Sequence, residues 1–226
     1  DQNVLNETLP YLTTLSVFSY GFTTQGELVP PTLDDTFMIN SALNAGVSPI
    51  LTLTPLGPDG NFNNLLITNL VNNEEIKATL LENILFTLQE KGLQGVDIDF
   101  DYILPDDRIP FADFLSPYGY HVSVALAPKI SDDQPGLLYG GKDYALLGEA
   151  ADSVLLMTYE WGYTFGPPMA VAPINKVRQV VDYAVTRIDP AKIDLGIPNY
   201  GYDWPLPYER GVTAARTIGN LEAVQI

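Results

Sequence analysis

The sequence predicts an α/β fold, a TIM-type (β/α)8 barrel that is incomplete, with about six strands recognisable. Short β-rich runs alternate with helical segments, and strands separated by helices pair in parallel. These runs are almost continuously apolar, as strands covered on both faces are. The first strand–helix turn lacks the glycine-rich phosphate loop of a doubly wound open sheet, which favours the barrel. Because a closed barrel needs eight strands, some are missing or unrecognised.

The predicted strands are short runs rich in β-branched, aromatic and leucine residues. Turn residues bound them, and the second strand is closed by Pro55 and a Gly-Pro-Asp-Gly turn at 57–60. In chain order the strands are expected at 15–20, 48–54, 95–101, 122–127, 153–159 and 193–200. The segment between the third and fourth strands is short for a full helical crossover, which is a second sign of an incomplete barrel.

Helical segments lie between the predicted strands. The clearest spans 74–91, where leucine and isoleucine recur at helical spacing, Asn73 can cap the first turn and Gly92 can end the last. A second, at 33–45, ends before Gly46. Further helices are expected at 108–115, 144–150 and 174–184.

Composition narrows the class of protein before any motif is considered. With 226 residues, 46% hydrophobic and 17% charged, the chain 1–226 is expected to form one globular domain, truncated at one or both ends. Its net charge of −17 argues against nucleic acid and anionic membranes as partners, and suits a neutral or cationic ligand or simply a solvated acidic surface. No apolar run approaches the ~20 residues of a membrane span. Cysteine is absent, which excludes disulfides and thiolate sites.

Residues 95–102 read Gly-Val-Asp-Ile-Asp-Phe-Asp-Tyr, with a carboxylate at every second position. Alternate side chains of a strand point to opposite faces, so we expect Asp97, Asp99 and Asp101 on one face and the apolar residues on the other. Three like charges in a row repel, which a strand built for stability alone would avoid. Such a row suggests a site in which one carboxyl stays protonated beside its neighbours, as an acid catalyst does.

Aromatic and acidic residues also gather at the carboxyl ends of other predicted strands, where the site of a β/α barrel forms. Carboxylates among Trp and Tyr are typical of sugar-binding sites, because sugar C–H faces stack on rings while the hydroxyls need polar partners. Taken singly, each aromatic residue could equally be the rim of the core. Met157 and His121 are expected to be structural. The candidate ligand contacts are Tyr20, Tyr159, Glu160, Trp161, Tyr200, Tyr202 and Trp204.

Three motifs resemble glycoside hydrolase family 18, the chitinase-like enzymes. The run 93–102 is similar to the family signature Asp-Gly-x-Asp-x-Asp-x-Glu. The run 156–160 resembles the family's Met-x-Tyr-Asp strand, and 196–201 resembles its Gly-x-Pro-x-Tyr-Gly strand. The order matches, and the resemblance covers most of the chain. The runs 125–136 and 157–162 resemble the branch of bacterial spore-cortex and cell-wall N-acetylglucosaminidases.

The resemblance implies a glycosidase whose partner is an N-acetylglucosamine-containing polysaccharide, with peptidoglycan or spore cortex favoured over chitin. It implies no cofactor and no metal, and a bacterial protein that is secreted, in the cell wall or spore-associated. The chain starts at Asp1 without a leader, so we interpret it as a processed or excised piece. We expect a monomer.

The resemblance also implies roles by position. The family uses substrate-assisted retention, in which the sugar's own acetamido oxygen attacks the anomeric carbon and no protein nucleophile is needed. Asp101 would be the acid, Asp99 would orient the acetamido N–H, and Asp97 would pair with Asp99. Tyr159 would hydrogen-bond the acetamido oxygen, while aromatic residues line the sugar subsites.

The sequence departs from the family pattern at the acid itself, which is Glu in the family and Asp101 here. Asp is one methylene shorter, about 1–1.5 Å, and geometry errors near ~1 Å can cost ~100-fold in rate. A catalytically weak or inactive sugar-binding protein is therefore the alternative. Gln94 replaces the first Asp of the signature, and the family's closing tryptophan has no match, so Trp161 or Trp204 would serve instead. A third hypothesis, an unrelated enzyme binding Mg²⁺ through the three aspartates, lacks a phosphate-binding loop.

Overall fold

The computed structural model describes residues 2–57, 60–115 and 119–226, so Pro58 and Asp59 of the predicted turn lie outside the described residues. The strands are β1 Thr14–Phe22, β2 Leu28–Val29, β3 Ser48–Leu53, β4 Gly95–Ile98, β5 His121–Leu126, β6 Ser153–Leu156, β7 Ile193–Leu195, β8 Tyr200–Asp203 and β9 Arg216–Gly219. The helices are α1 Gln2–Thr8, α2 Thr36–Asn44, α3 Leu65–Val71, α4 Glu74–Lys91, α5 Arg108–Phe114, α6 Tyr144–Ala150, α7 Ile174–Ala184 and α8 Asn220–Ala223. All five predicted helices are present, and α1, α3 and α8 are additional to them.

A mostly parallel sheet forms the centre of the fold, in the strand order β2-β1-β3-β4-β5-β6-β7. Each neighbouring pair is parallel except β1 with the short β2, which are antiparallel. The predicted alternation of parallel strands and helices is therefore confirmed, and the six parallel strands are the six expected. Within the described residues β1 and β7 do not pair with each other, so the barrel is not closed there.

Helix α4 shows how the local sequence fixes an element. The side-chain oxygen of Asn73 accepts the backbone N–H groups of Glu75 at 3.0 Å and Ile76 at 3.2 Å, which satisfies two donors that the first turn leaves free. Gly92 ends the helix with φ 70°, a left-handed conformation that favours glycine. The helix packs on the sheet through its buried residues Leu80, Ile84 and Leu88.

Strand β4 carries the acidic run through the middle of the sheet. Its predicted apolar set is buried, with Val96, Ile98 and Phe100 only 3%, 2% and 1% exposed. The Phe100 ring lies 5.7 Å from both the Phe22 and Phe111 rings, measured between centroids. The packing of these apolar side chains against the helix layer fixes which way the intervening aspartates face.

Two strands are shorter than predicted. Strand β4 ends at Ile98 instead of Asp101, although the Asp99 N–H still donates to the Leu53 carbonyl at 2.9 Å, so Asp101 lies in the loop that follows. Strand β7 ends at Leu195, and Tyr200 begins a separate hairpin of β8 and β9. Pro198 between them has no N–H to donate, which is one reason the parallel ladder does not continue.

Tyr20 lies outside the candidate site, contrary to its predicted role as a sugar contact. Its side chain is 1% exposed, and its hydroxyl donates to the Asp35 carboxylate. The Lys91 ammonium lies 2.5 Å from Asp35 and 3.0 Å from the Tyr20 hydroxyl. These three residues tie β1 to the ends of α2 and α4. The position of Tyr20 is explained by this network, since buried polar groups require partners.

We expect Lys91→Met to lower the free energy of unfolding by about 2 kcal/mol. A fully buried pair costs ~3–5 kcal/mol when one partner is removed, but a third of the Lys91 side chain is exposed (33%). Urea denaturation measures the loss. The control is Lys77→Met, whose partner Glu74 is 89% exposed, with an expected loss below ~1 kcal/mol. Equal losses in the two variants would contradict a structural role for the network.

Candidate active site

A cleft of about 380 Å³ opens at the carboxyl ends of β4, β5 and β6. This is the edge where the site of a β/α barrel forms. The structure brings four of the predicted site residues together there, namely Asp101, Tyr159, Glu160 and Trp161. Met157, which was expected to be structural, is half-buried and lines the cleft as well. The remaining lining residues, which the sequence did not reveal, are Tyr102, Ala127, Pro128, Leu138 and Tyr139.

Asp97 lies at the base of the acidic row, inside the sheet. It is 8% exposed and pairs in register with Ser123 of β5, whose hydroxyl donates to its carboxylate. Burial raises the pKa of Asp97, and the Ser123 hydrogen bond partly offsets that rise. Asp97 is thus a fixed, buried carboxyl that can influence the cleft only through Asp99, on which its charge acts.

Asp99 occupies the middle of the row. Burial, together with the nearby charges of Asp101 and Asp97, raises its pKa from 3.8 to about 6, while the charge of Lys142 acts in the opposite direction. The protonation of Asp99 therefore depends on its neighbours near neutral pH. Groups coupled in this way share protons, which is a property of catalytic carboxyl pairs.

The three aspartates form a row and not a cage. Among the residues that the structure describes, no three His, Asp or Glu side chains converge as a metal ion would require. Asp97 is committed to Ser123, and Asp101 opens onto the cleft. The row of Asp97, Asp99 and Asp101 therefore suits proton transfer and hydrogen bonding between neighbouring carboxyl groups.

Tyr159 is held in place by the backbone of Gly196. A Cβ at Gly196 would lie 2.5 Å from Cε1 of the Tyr159 ring, so only glycine fits there. The Thr158 hydroxyl donates to the Gly196 carbonyl at 2.9 Å and fixes the two segments together. Burial and the charges of Asp99 and Asp101 raise the pKa of Tyr159. The phenol therefore stays protonated and can donate a hydrogen bond into the cleft.

Glu160 is fixed by tyrosines of the β8 strand. Its carboxylate accepts hydrogen bonds from the hydroxyls of Tyr200 and Tyr202, the latter at 2.9 Å. Glu160 has φ 66°, a left-handed conformation that is strained for a side-chain-bearing residue and often occurs at functional sites. Tyr200 and Tyr202 thus hold the side chain of Glu160 in position through hydrogen bonds. Neither is among the residues that line the cleft.

Trp204, predicted to contact the sugar, is not among the residues that line the cleft. Its indole N–H donates to the Gly166 carbonyl at 2.9 Å, and its ring centroid lies 5.8 Å from that of Tyr202. These contacts fix the β8–β9 hairpin to the loop after β6. Trp161 is therefore the tryptophan that the structure offers as a wall of the cleft.

The raised pKa of Asp99 predicts how stability depends on pH. A carboxyl whose folded-state pKa lies above its unfolded value binds its proton more tightly in the folded state. Its contribution is thus most favourable below pH 3.8 and is lost as pH rises to about 6. We expect Asp99→Asn to raise the free energy of unfolding above pH 6, by on the order of 2 kcal/mol, and by much less at pH 4. Urea denaturation at both pH values tests this, with exposed Asp113→Asn as a control expected to show no such difference. A gain that is equal at both pH values would contradict it.

Taken together, the cleft offers a carboxyl group, a protonated phenol and an aromatic wall around one space. A carboxyl can transfer a proton, a phenol can stabilise an oxygen that gains negative charge, and an indole can stack on a sugar ring.

No helix in the described part of the chain is both long and apolar enough to cross a bilayer.

Comparison with known proteins gives consistent matches. The family model described as "Glycosyl hydrolases family 18" matches residues 57–224. The "Cortical fragment-lytic enzyme" of Bacillus subtilis (strain 168) is 39% identical over 232 residues, covering 100% of this chain and 53% of that protein. The crystal structure of the Bacillus cereus spore cortex-lytic enzyme SleL has a TM-score of 0.93 at 34% identity, covering 99% of this chain and 53% of that one.

A third similar protein is the putative sporulation-specific glycosylase ydhD from Bacillus subtilis. Its crystal structure has a TM-score of 0.84 at 30% identity, covering 95% of this chain and 72% of that one. The chain spans about half the length of the curated relatives it matches first. The family match covers most of the chain and includes the acidic run, Tyr159 and Gly196. The chain therefore belongs to glycosyl hydrolase family 18.

Proposed function

We propose that this chain carries the hydrolytic site of a β-N-acetylglucosaminidase that acts on peptidoglycan or spore-cortex glycans. The observation that carries the proposal is the shared cleft of Asp101, Tyr159, Glu160 and Trp161. The printed names of the relatives, a cortical fragment-lytic enzyme and a spore cortex-lytic enzyme, support this class of glycan over chitin.

The proposed reaction is substrate-assisted, an exception to the usual two-carboxylate retaining scheme. Asp101 gives its proton to the glycosidic oxygen while the C1–O bond breaks and the acetamido oxygen bonds to C1. Asp99 accepts a hydrogen bond from the acetamido N–H, and Tyr159 donates to the acetamido oxygen. Water then attacks C1, the bond to the acetamido oxygen breaks, and the Asp101 carboxylate takes the proton from water.

The remaining parts of the proposal concern partners and place of action. The partner is an N-acetylglucosamine-containing polysaccharide, and a net charge of −17 disfavours nucleic acid as an alternative. Spore-related names among the relatives support action at the spore or cell wall. Secretion to that place is a further part of the proposal. The protein is proposed to act as a monomer, without a cofactor or metal.

A second candidate function follows from the identity of residue 101. Asp101 reaches about 1–1.5 Å less far than the Glu of the family signature. If no other group compensates, the cleft would bind an N-acetylated sugar and turn it over only feebly. In that case the chain would act as a chitinase-like carbohydrate-binding protein.

One experiment separates the two functions. The protein is incubated with purified spore-cortex peptidoglycan and with N-acetylglucosamine oligomers, and new reducing ends are identified by mass spectrometry. The proposed function predicts products that increase linearly with enzyme concentration. Saturable binding without product, together with a steep gain in turnover from Asp101→Glu, would establish the second function. If the protein showed no binding and formed no product, both functions would be overturned.

A further inference from the structure

We propose that Lys142 is a positioning residue of this site, and that its buried ammonium is the counter-charge shared by Asp99 and Asp101. The inference rests on the proposed function, because it assigns Lys142 to the same proton transfer. Lys142 does not line the cleft. It would act on the substrate only through the two acids.

The burial of Lys142 is the first observation. Its side chain is 1% exposed, and among the described residues its Nζ has no hydrogen-bond partner. Burying an ammonium group without a partner costs several kcal/mol, and folding stability alone does not explain such a group. Lys129, by contrast, is also buried but donates to the Lys142 carbonyl at 2.8 Å. The Lys142 ammonium therefore requires an explanation other than local hydrogen bonding.

The second observation is the packing that brings Lys142 to the acids. A Cβ at Gly141 would lie 2.2 Å from the Ile103 carbonyl oxygen, so the absence of a side chain allows the two backbones to touch. Ile103 is two residues after Asp101, in the loop that follows β4. The Lys142 N–H donates to the Tyr139 carbonyl at 3.1 Å, and Tyr139 lines the cleft. The loop before α6, which carries the buried Lys142, is thus fixed against the acidic loop.

The charges that face Lys142 are the third observation. Asp101 and Asp99 act on it, and Asp97 acts in turn on Asp99. Asp143, the next residue in the chain, is engaged elsewhere, since its carboxylate caps α6 and lies 3.9 Å from Arg108. Burial lowers the pKa of Lys142 to about 8, and the charges of Asp101 and Asp99 oppose that fall. The ammonium is thus still the major form at neutral pH.

This arrangement has a specific use in the proposed reaction. When Asp101 gives up its proton, its new carboxylate lies near Asp99, and two adjacent negative charges repel. The positive charge of the buried Lys142 offsets this repulsion in a site of low dielectric, where such interactions are strong. It stabilises the Asp101 carboxylate until that group takes the proton from the attacking water. Lys142 itself neither gains nor loses a proton in the step.

The test is a titration that does not require turnover. The side-chain carboxyl ¹³C signal of Asp99 is followed against pH by NMR in the wild type, in Lys142→Met and in the exposed-lysine control Lys176→Met. We expect Lys142→Met to raise the titration midpoint of Asp99 by roughly one pH unit, with no shift in the control. The low-pH limb of kcat/KM should move in the same direction. An unchanged Asp99 midpoint in a folded Lys142→Met protein would overturn the inference.

A reciprocal measurement covers the case in which Lys142→Met does not fold. The Lys142 side chain is titrated by NMR in the wild type and in Asp101→Asn. Removal of the Asp101 charge should lower the pKa of Lys142, since coupling between two groups is mutual, and an unchanged value would overturn the inference. Because neither titration involves a substrate, absence of hydrolysis would count against the proposed function and leave this result interpretable.

Discussion

Asp101→Asn is expected to lower kcat on an N-acetylglucosamine oligomer by about 10²–10⁴-fold, the range of a general acid. The amide of Asn cannot transfer a proton to the glycosidic oxygen, yet it has nearly the same shape as the carboxyl. We therefore expect the dissociation constant of the oligomer to change by only a few-fold. Initial rates give the first quantity, and calorimetric titration gives the second.

The matched control for this variant is Asp106→Asn, an exposed acid in the turn that follows the same loop. It makes the same chemical change outside the cleft and should keep wild-type rates. If Asp101→Asn retained more than a tenth of the activity while folded, Asp101 would not be the acid. The role would then pass to Glu160, the other carboxyl among the residues that line the cleft.

Tyr159→Phe is expected to lower kcat by about 10²–10³-fold with little change in KM. The hydroxyl holds the acetamido oxygen in line with C1, so its loss misplaces the nucleophile and slows the step in which the O–C1 bond forms. The ring stays in place because it packs against Gly196, and Phe keeps that contact. Steady-state kinetics on one oligomer measure both constants.

Tyr163→Phe is the control, because Tyr163 is 47% exposed and does not line the cleft. It should leave both kinetic constants unchanged. A rise in KM at constant kcat in Tyr159→Phe would show that the hydroxyl binds ground state and transition state equally. That result would contradict its proposed role in holding the reacting acetamido group.

Several features of the site lower the stability of the fold, and they lie close together. Asp99 carries a pKa raised by burial, Glu160 has a left-handed backbone, and the Lys142 ammonium is buried. Each costs stability, and the hydrophobic core around Phe100 offsets these costs. Such clustering is common where function, and not stability, has determined the residue. The expected rise in the free energy of unfolding in Asp99→Asn follows from one of these costs, the burial of the Asp99 carboxyl.

The fold could be predicted where local sequence decides the structure. Helix α4 agrees with its predicted bounds because Asn73 and Gly92 are strong local signals at its two ends. The parallel strands were recognised because burial on both faces leaves near-continuous apolar runs. The sequence does not predict helix α3, since seven residues between asparagines carry too little periodicity.

The site was predictable only in part, because strand ends and long-range packing position its residues. The alternating aspartates of the run 95–102 predict the row of carboxyl groups. The family motif at 156–160 predicts that Tyr159 lies beside that row. Tyr20 has the same sequence appearance as a strand-end sugar contact, yet Asp35 and Lys91 hold it in the helix layer. Lys142 looks like an ordinary turn lysine, and its burial depends on the contact of Gly141 with a loop nearly forty residues earlier in the chain.

The central claim is that the row of aspartates directs an acid at the glycosidic oxygen of an N-acetylated sugar. A crystal structure of Asp101→Asn with a bound N-acetylglucosamine oligomer tests it most directly. We predict the residue 101 side chain within ~2.6–3.2 Å of the glycosidic oxygen, with Asp99 on the acetamido N–H and Tyr159 on the acetamido oxygen. A sugar bound elsewhere, or an acetamido group that points away from Asp99 and Tyr159, would contradict it.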